Sequence, residues 1–91
     1  MKAKKVAVVV RDRQEEAYRM VLGLITLNIE AEVFLLNSDV EVSYPVTEYI
    51  AHLAESDVPI FSNRKSNESL QYLSEEEIGL KLFKYDQILA Y

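Results

Sequence analysis

Two groups of cationic and polar side chains follow apolar runs in this sequence, at points where buried strands are predicted to end. Arg11 and Arg13 follow residues 6–10. The second group follows residues 58–61 and consists of Ser62, Asn63, Arg64, Lys65, Ser66 and Asn67. Positive charges beside hydroxyl and amide donors can hold a small anion such as phosphate or a sulfur oxyanion. If the two strands are parallel neighbours, both loops emerge at one edge of the sheet, and the sequence predicts an anion-binding site there.

The alternative is that these side chains are ordinary solvated loop residues, as most charged loop residues are. The chain has only two glycines, Gly23 and Gly79, and neither lies in these loops. The glycine-rich cradle of a P-loop or a dinucleotide-binding fold is therefore missing. This disfavours a nucleotide and leaves a small anion or metabolite as the ligand of the predicted site.

No catalytic residue is assigned from the sequence. His52 is expected on the solvent face of a helix, and a general base would need an orienting acid and a nucleophile beside it. Ser62 lacks the G-x-S-x-G surroundings of a nucleophilic serine. The glutamates at 75–77 are best explained as a charged first helical turn and not as a metal site. We predict no metal and no cofactor, and a non-enzymatic role is favoured over catalysis.

The composition excludes several classes of function. The chain has no cysteine, which excludes disulfides, thiolate metal sites and the carriage of sulfur as a cysteine persulfide. With one histidine, a multi-histidine metal centre is excluded as well. The formal charge of −5 disfavours nonspecific binding to nucleic acid. The longest apolar run, residues 20–27, is too short to span a bilayer, so no membrane association is predicted and a cytoplasmic location is expected.

The candidate residues must be positioned by the apolar elements that precede them, and the first of these elements is the most informative. Residues 6–10 are four valines and one alanine, without polar alternation. This pattern is typical of a central strand in a parallel sheet that is covered on both faces. Because ligands collect beyond the carboxyl ends of such strands, the loop after residue 10 lies where a site is expected.

The remaining elements alternate between helix and strand. Helices are predicted over residues 14–28, with Asp12 as the N-cap, and over residues 46–55. A short helix capped by Ser66 or Asn67 is predicted next, and a further helix opens at Ser74. Strands are predicted at residues 5–10, 32–36, 58–61 and 86–91. This order predicts a single three-layer α/β domain over residues 1–91.

The apolar content of the chain predicts self-association. Apolar residues make up 49% of the sequence, which is generous for a chain of 91 residues. Since a domain of this size has a high surface-to-volume ratio, part of the apolar surface is expected to lie in a subunit interface. We therefore expect a homo-oligomer.

Several segments together resemble the DsrE/DsrF/DsrH family of sulfur-relay proteins, which includes the TusBCD type. The resemblance covers nearly the whole chain and rests on hydrophobic patterns. The matching segments are Lys5-Val-Ala-Val-Val-Val10, the apolar helix over 17–27, Ala31-Glu-Val-Phe-Leu-Leu-Asn-Ser-Asp-Val40, Val58-Pro-Ile-Phe-Ser62 and Tyr85-Asp-Gln-Ile-Leu-Ala-Tyr91. The resemblance implies a flavodoxin-like domain with a mainly parallel sheet of four to five strands. It also implies a cytoplasmic location and assemblies of identical or paralogous DsrE-like subunits.

The family resemblance also implies a role for one position. In sulfur-carrying members a cysteine just past the third strand takes up persulfide sulfur, and Ser62 is the equivalent of that carrier cysteine here. An alcohol cannot hold sulfane sulfur as a thiolate can. We therefore expect a non-catalytic subunit that acts as a non-carrying partner in sulfur relay. The alternative is an enzyme that binds a small anion or metabolite with the loops that contain Arg11 and Ser62.

Overall fold

A computed structural model describes residues 4–91 as one five-stranded parallel sheet with helices on both faces. The strands are β1 (Lys5–Val10), β2 (Glu30–Leu35), β3 (Ile60–Ser62), β4 (Gln71–Tyr72) and β5 (Gln87–Ala90). The helices are α1 (Gln14–Thr26), α2 (Tyr44–Glu55) and α3 (Glu75–Leu82). The strand order is β4-β3-β2-β1-β5. The predicted three-layer α/β fold with a parallel sheet is therefore confirmed. Its layering is flavodoxin-like, although flavodoxin places its second strand at the sheet edge and here β2 is internal.

β1 is the central strand that its valine-rich sequence predicts. It pairs in parallel with β2 on one side and with β5 on the other. Because side chains alternate along a strand, its residues serve two cores. Val6, Val8 and Val10 face α1 and α2, whereas Ala7 and Val9 face α3. All of these side chains are buried, which explains why no polar residue interrupts the run.

The helices are divided between the two faces of the sheet by the direction in which the chain moves. The connections from β1 to β2 and from β2 to β3 advance toward one edge, and their helices α1 and α2 pack on the same face. The connection from β4 returns across the sheet to β5, and its helix α3 packs on the other face. The right-handedness of such crossovers accounts for this arrangement, since reversing the direction of travel reverses the face.

Two predictions about local structure are wrong. Asp12 is not the N-cap of α1, because the helix begins at Gln14 and the cap position is Arg13, which makes no side-chain capping bond. The short helix predicted after Ser66 or Asn67 is absent from the described residues, and turns and β4 occupy this part of the chain. The backbone N–H of Leu73 donates to the carbonyl of Ser62, so pairing with β3 replaces the helix.

Other elements lie close to their predicted positions. Ser74 opens α3 with a capping box, because its hydroxyl accepts from the Glu77 N–H while the Glu77 carboxylate accepts from the Ser74 N–H. The third strand begins at Ile60, two residues later than predicted. The reason is that the Val58 N–H is used to close the end of α2 by donating to the Leu53 carbonyl.

Candidate functional site at the carboxyl end of the sheet

The two predicted cationic loops are separated in space by a third loop. β2 lies between β1 and β3, so the first and third strands are not neighbours, and the condition under which their two loops would form one site is not met. Residues 36–43, which follow β2, fill the space between the two loops. The Ser38 hydroxyl donates to the Arg11 carbonyl at 2.6 Å, and the Asn67 amide donates to the Ser38 carbonyl at 3.0 Å. The carboxyl end of the sheet is thus bridged by hydrogen bonds to the loop after β2.

Ser62 is enclosed at the end of β3. Its side chain is 0% exposed, and its hydroxyl accepts from the Arg64 N–H at 3.0 Å and from the Asn67 Nδ2 at 2.8 Å. The hydroxyl hydrogen is directed at the Arg64 carbonyl at 3.4 Å. A serine hydroxyl has one hydrogen to donate and two lone pairs with which to accept. All of them are used within the protein, so Ser62 has no hydrogen-bonding capacity left for a ligand.

Asn67 holds three parts of the chain together. Its side chain is 7% exposed and donates to both the Ser62 hydroxyl and the Ser38 carbonyl. Its Oδ1 accepts from the Val40 N–H at 3.0 Å. Buried polar groups are costly unless they are hydrogen-bonded, and here each atom of the amide has a partner. Asn67 therefore fixes the loop after β2 against the end of β3.

Gln14 holds the same loop from the opposite side. This residue is 4% exposed, and its Nε2 donates to the Asp39 carbonyl at 2.9 Å. Its Oε1 accepts from the Glu41 N–H at 3.0 Å and from the Tyr18 hydroxyl at 3.3 Å. Burial, with a smaller effect of the Glu41 charge, raises the pKa of Tyr18 well above its ordinary value, so the phenol stays a neutral donor.

Gln14 was not among the residues predicted from the sequence, and Asn67 was predicted as part of the polar loop after the third strand or as a helix cap, not as the residue that holds the loop 38–41. For Gln14 a signal was available, since positions 14, 17, 18 and 21 have the spacing of one helical face, and all of them are buried. For Asn67 the sequence gives no comparable signal, because its partners lie in another loop. The term carboxyl-end network is used below for four parts of the chain, namely Gln14, Asn67, Ser62 and the loop 38–41.

Most of the predicted anion-binding side chains have partners within the protein. Arg64 is ion-paired with Asp39 at 3.3 Å, and both side chains are substantially exposed. Asn63 and Asn37 exchange hydrogen bonds, with Asn63 donating its amide and accepting the Asn37 N–H. These contacts turn the polar loop after β3 toward the loop after β2.

The other cations at this end are more accessible. Lys65 lies over the ring of Tyr72 at 5.2 Å. Arg13 contacts Glu16 at 3.5 Å and lies over the ring of Tyr91 at 5.4 Å. Arg11 is exposed and makes no ion pair with any residue in 4–91. The predicted residues are thus spread along the sheet edge and do not converge on one point.

A shallow open depression beside this network has a charge unsuited to anions. It is lined by Asp39, Val40, Ser66, Asn67, Glu68 and Ser69. The carboxylates of Asp39 and Glu68 repel an anion. Asp39 also forms an ion pair with Arg64, so this cation is not free to bind one. Within residues 4–91, no group of three or more His, Cys, Asp or Glu side chains is arranged to hold a metal ion. The exposed His52 lies on α2, away from these loops.

A second polar cluster lies on the α3 face, near the amino end of the sheet. The Glu32 carboxylate accepts a hydrogen bond from the Tyr85 hydroxyl and pairs with Lys5 at 3.7 Å and Lys81 at 3.6 Å. Burial, followed by the hydrogen bond to Glu32, raises the pKa of Tyr85 far above its ordinary value. A phenol with a raised pKa is a weak acid that keeps its proton near neutral pH, so this cluster anchors α3 to the sheet and does not indicate proton transfer.

Comparison of the chain with protein-family models, with curated protein sequences and with solved structures gives no match. The likeness to DsrE-type proteins therefore rests on the sequence pattern and stays a prediction. Among the helices of residues 4–91, none is both long enough and apolar enough to cross a membrane.

Proposed function

We propose that this protein is a non-catalytic, oligomer-forming α/β subunit, similar to the non-carrying members of the DsrE/DsrF/DsrH family. In this proposal it works in the cytoplasm, in a complex of identical or paralogous subunits linked to sulfur relay. The observation that supports the proposal best is the enclosure of the Ser62 hydroxyl, at the position where the family resemblance implies a carrier cysteine.

A sulfur carrier needs a nucleophile that can ionise and can reach the sulfur donor. Ser62 meets neither condition, because its hydroxyl is an alcohol and its side chain is 0% exposed. The groups that surround it are the amide of Asn67 and the backbone of Arg64, and neither can act as a general base. The position is therefore better suited to fixing a loop than to covalent chemistry.

The polar groups at the carboxyl end favour a binding subunit over an enzyme. Catalytic groups are commonly held with perturbed pKa values and with unfilled hydrogen-bonding capacity beside a cleft. Here the buried polar side chains have partners, since no buried side-chain nitrogen or oxygen in residues 4–91 lacks a hydrogen bond. The two strongly raised pKa values, those of Tyr18 and Tyr85, belong to tyrosines kept neutral within the packed structure.

Large apolar side chains on the surface support the oligomeric part of the proposal. Several are well exposed, and they are Leu27, Val42, Tyr44, Leu80, Phe83 and Ile88. Single exposed apolar residues are ordinary, but grouped ones mark interaction surfaces. Leu80 and Phe83 are three residues apart at the end of α3, so they lie on one side of that helix.

The proposal can be tested with a chain that carries one cysteine. Because the natural sequence has none, Ser62→Cys places a single thiol at the enclosed position. We expect a polar thiol reagent to label this variant about 100-fold more slowly than Ser66→Cys, whose site is exposed, because reaction must wait for local opening. Circular dichroism checks that both variants are folded. Rapid labelling of Ser62→Cys, with uptake of sulfur from a small persulfide donor, would contradict the non-carrying role.

A second candidate function is the binding of a small anion by the loops after β1 and β3. The observation that favours it is the exposure of Arg11 and Lys65, which have no acidic partner within residues 4–91. The observation against it is the pairing of Arg64 with Asp39. Calorimetry with inorganic phosphate and sulfate tests this function. Asp39→Asn should strengthen binding and Arg64→Ala should abolish it, whereas no heat of binding in any variant would exclude the site.

A further inference from the structure

β5 forms one edge of the sheet, and its outer side is unpaired among residues 4–91. The Tyr91 N–H donates to the Val9 carbonyl, and the Tyr91 carbonyl accepts from the Arg11 N–H. Tyr91 therefore turns both backbone groups toward β1. Since backbone groups alternate in direction along a strand, Leu89 and Gln87 also face β1. Ile88 and Ala90 must direct their N–H and C=O groups outward, away from the sheet.

This edge carries none of the side chains that normally prevent sheets from pairing. The strand Gln87–Ala90 contains no charge and no proline, whereas edge strands are usually protected by lysine, proline or extreme shortness. The opposite edge, β4, is protected, because it has only two residues and Lys65 lies over its Tyr72. The two edges of one sheet thus differ in their readiness to pair with another strand.

The side chains of β5 add an apolar surface to the open backbone. Ile88 is aligned with Ala7 and so projects on the α3 face, where it is 49% exposed. Leu89 is aligned with Val8 and packs against the core on the α1/α2 face. Phe83, at the end of α3, is 88% exposed on the same side of the sheet as Ile88. A strand added at this edge would cover apolar surface as well as backbone groups.

We propose that β5 pairs in antiparallel orientation with β5 of a second copy of this chain, about a two-fold axis that passes beside Leu89. This proposal rests on the oligomeric role proposed above and gives it a specific surface. In this register Ile88 lies opposite Ala90 of the partner subunit, and Ala90 lies opposite Ile88 of the partner subunit. Each of these pairs exchanges both of its hydrogen bonds, so all outward backbone groups of the strand are satisfied.

The choice of a second copy as the partner follows from symmetry and charge. A two-fold axis at Leu89 brings the same outward groups of both copies into register, which is what an isologous interface requires. The strand is uncharged, so no like charges face each other when it meets itself. The two Leu89 side chains form the pair without mutual hydrogen bonds, in which side chains approach most closely. The product is a continuous sheet that runs through both subunits.

Single-cysteine crosslinking tests the register, since the natural chain has no cysteine. Leu89→Cys places two thiols opposite each other across the axis, within the reach of a disulfide. Ile88→Cys places them diagonally and beyond the ~7 Å Cα separation that a disulfide tolerates, although Ile88 is the more exposed residue. We expect mild oxidation to give covalent dimer at least about tenfold faster for Leu89→Cys. Equal or faster crosslinking of Ile88→Cys would overturn the register.

Proline substitution tests whether the backbone edge itself makes the interface. Ala90→Pro removes an N–H that points outward, so it leaves the bonds to β1 intact while blocking the partner strand. Ala90→Ser is the matched control, because it changes the same exposed position and keeps the N–H. Light scattering at micromolar concentration should show a dimer for the natural chain and Ala90→Ser, and a monomer for Ala90→Pro. Circular dichroism should show that the monomer is folded.

Two other outcomes separate this interface from the proposed function. If Ala90→Pro assembles like the natural chain, the β5 interface is overturned, while the oligomeric role remains and another surface must carry it. If the natural chain is a strict monomer, the self-pairing is overturned, and only a paralogous subunit could be the partner. The reactivity of Ser62→Cys is independent of both results, because Ser62 is at the end of β3, on the far side of β2 and β1 from β5.

Discussion

The two faces of the sheet are covered in different ways. On one face the helices α1 and α2, of 13 and 12 residues, bury a mainly aliphatic core that also contains Tyr18, between valines of β1 and side chains such as Val21 and Leu53. On the other face a single helix of eight residues, α3, buries a smaller core with Ile78 at its centre. Large aromatic rings fill the core on this second face, since Phe34 stacks on Phe61 and contacts Tyr85 edge-on.

This difference shows how stability is distributed in a small parallel sheet. Where two helices cover the sheet, many aliphatic side chains share the burial and no single one decides it. On the face that one short helix covers, stability depends on a few aromatic side chains and on the cluster around Glu32. We therefore expect the α3 face to be more sensitive to single substitutions than its smaller area suggests.

The largest effect is expected for Phe34→Ala on the α3 face. Phe34 is fully buried and contacts both Phe61 and Tyr85, so truncation leaves a cavity that one short helix cannot fill. Urea denaturation should show a loss of about 3–5 kcal/mol in the free energy of unfolding. Phe83→Ala is the matched control, since that ring is exposed, and it should change stability by less than about 0.5 kcal/mol. A loss for Phe34→Ala of no more than the control would show that the aromatic rings do not close this face.

Asn67→Ala should give the next largest effect, at the carboxyl end of the α1/α2 face. The substitution leaves the Val40 N–H and the Ser38 carbonyl without their partners in a partly buried setting. The expected loss in the free energy of unfolding is about 2–3 kcal/mol. Ser66→Ala serves as the control, because it removes only an exposed hydrogen bond to Asp39. If the two variants were equally stable, the carboxyl-end network would not be holding the loop 38–41.

Tyr85→Phe should have a smaller effect that depends on pH. It removes the hydroxyl that donates to Glu32, and we expect a loss of about 1 kcal/mol near neutral pH. The pKa of Tyr85 is raised in the folded protein above its ordinary value of 10.0, so its contribution is complete below pH 10 and decreases as the pH rises further. Denaturation of both proteins between pH 7 and pH 11 should therefore show their stability difference shrinking only above pH 10. A difference that is constant to pH 11 would contradict this assignment.

The smallest effects are expected for the two glycines, and both are stabilising. A Cβ atom at Gly23 in α1 or at Gly79 in α3 would come within 4 Å of no atom in residues 4–91 beyond its own chain neighbours and helix backbone, and neither residue has a positive φ. Gly23→Ala and Gly79→Ala should each raise the free energy of unfolding by about 0.5–1 kcal/mol, because alanine favours the helix. Thermal melts of the two variants would compare the faces directly. A destabilised Gly79→Ala would mean that α3 needs a flexible position.

The fold could be predicted from the sequence to a large extent because its signals are local. The valine run of β1 has no polar alternation. The capping box at Ser74 spans only four residues, Ser74 to Glu77, and marks the start of α3. Such patterns record burial and helix capping, which depend on neighbours in the chain. The strand order was not predicted, because it depends on which distant strands meet. The adjacency of the loops after β1 and β3 therefore stayed conditional on that order, and in the structure β2 separates them.

The candidate site was harder to predict because its contacts are between loops. Arg64 has the same local sequence whether it faces an anion or pairs with Asp39, which is 25 residues away. Asn67 shows the same limit, since its turn-forming neighbours suggested a helix cap and its side chain instead holds the loop 38–41. A polar residue near the end of a strand thus indicates position at the carboxyl edge, and it does not indicate whether its partner is a ligand or another loop.

The pairing of β1 with β5 has a consequence for the synthesis of the chain. The Lys5 N–H bonds to the carboxylate of Asp86, a contact that spans 81 residues. During synthesis, one side of β1 stays open until β5 has left the ribosomal exit tunnel. During that interval the backbone groups on that side of β1 have no partner strand, and pairing with β5 satisfies them. Because the first and last strands of the sheet must meet, folding of this domain is expected to be slower than for helical chains of equal length.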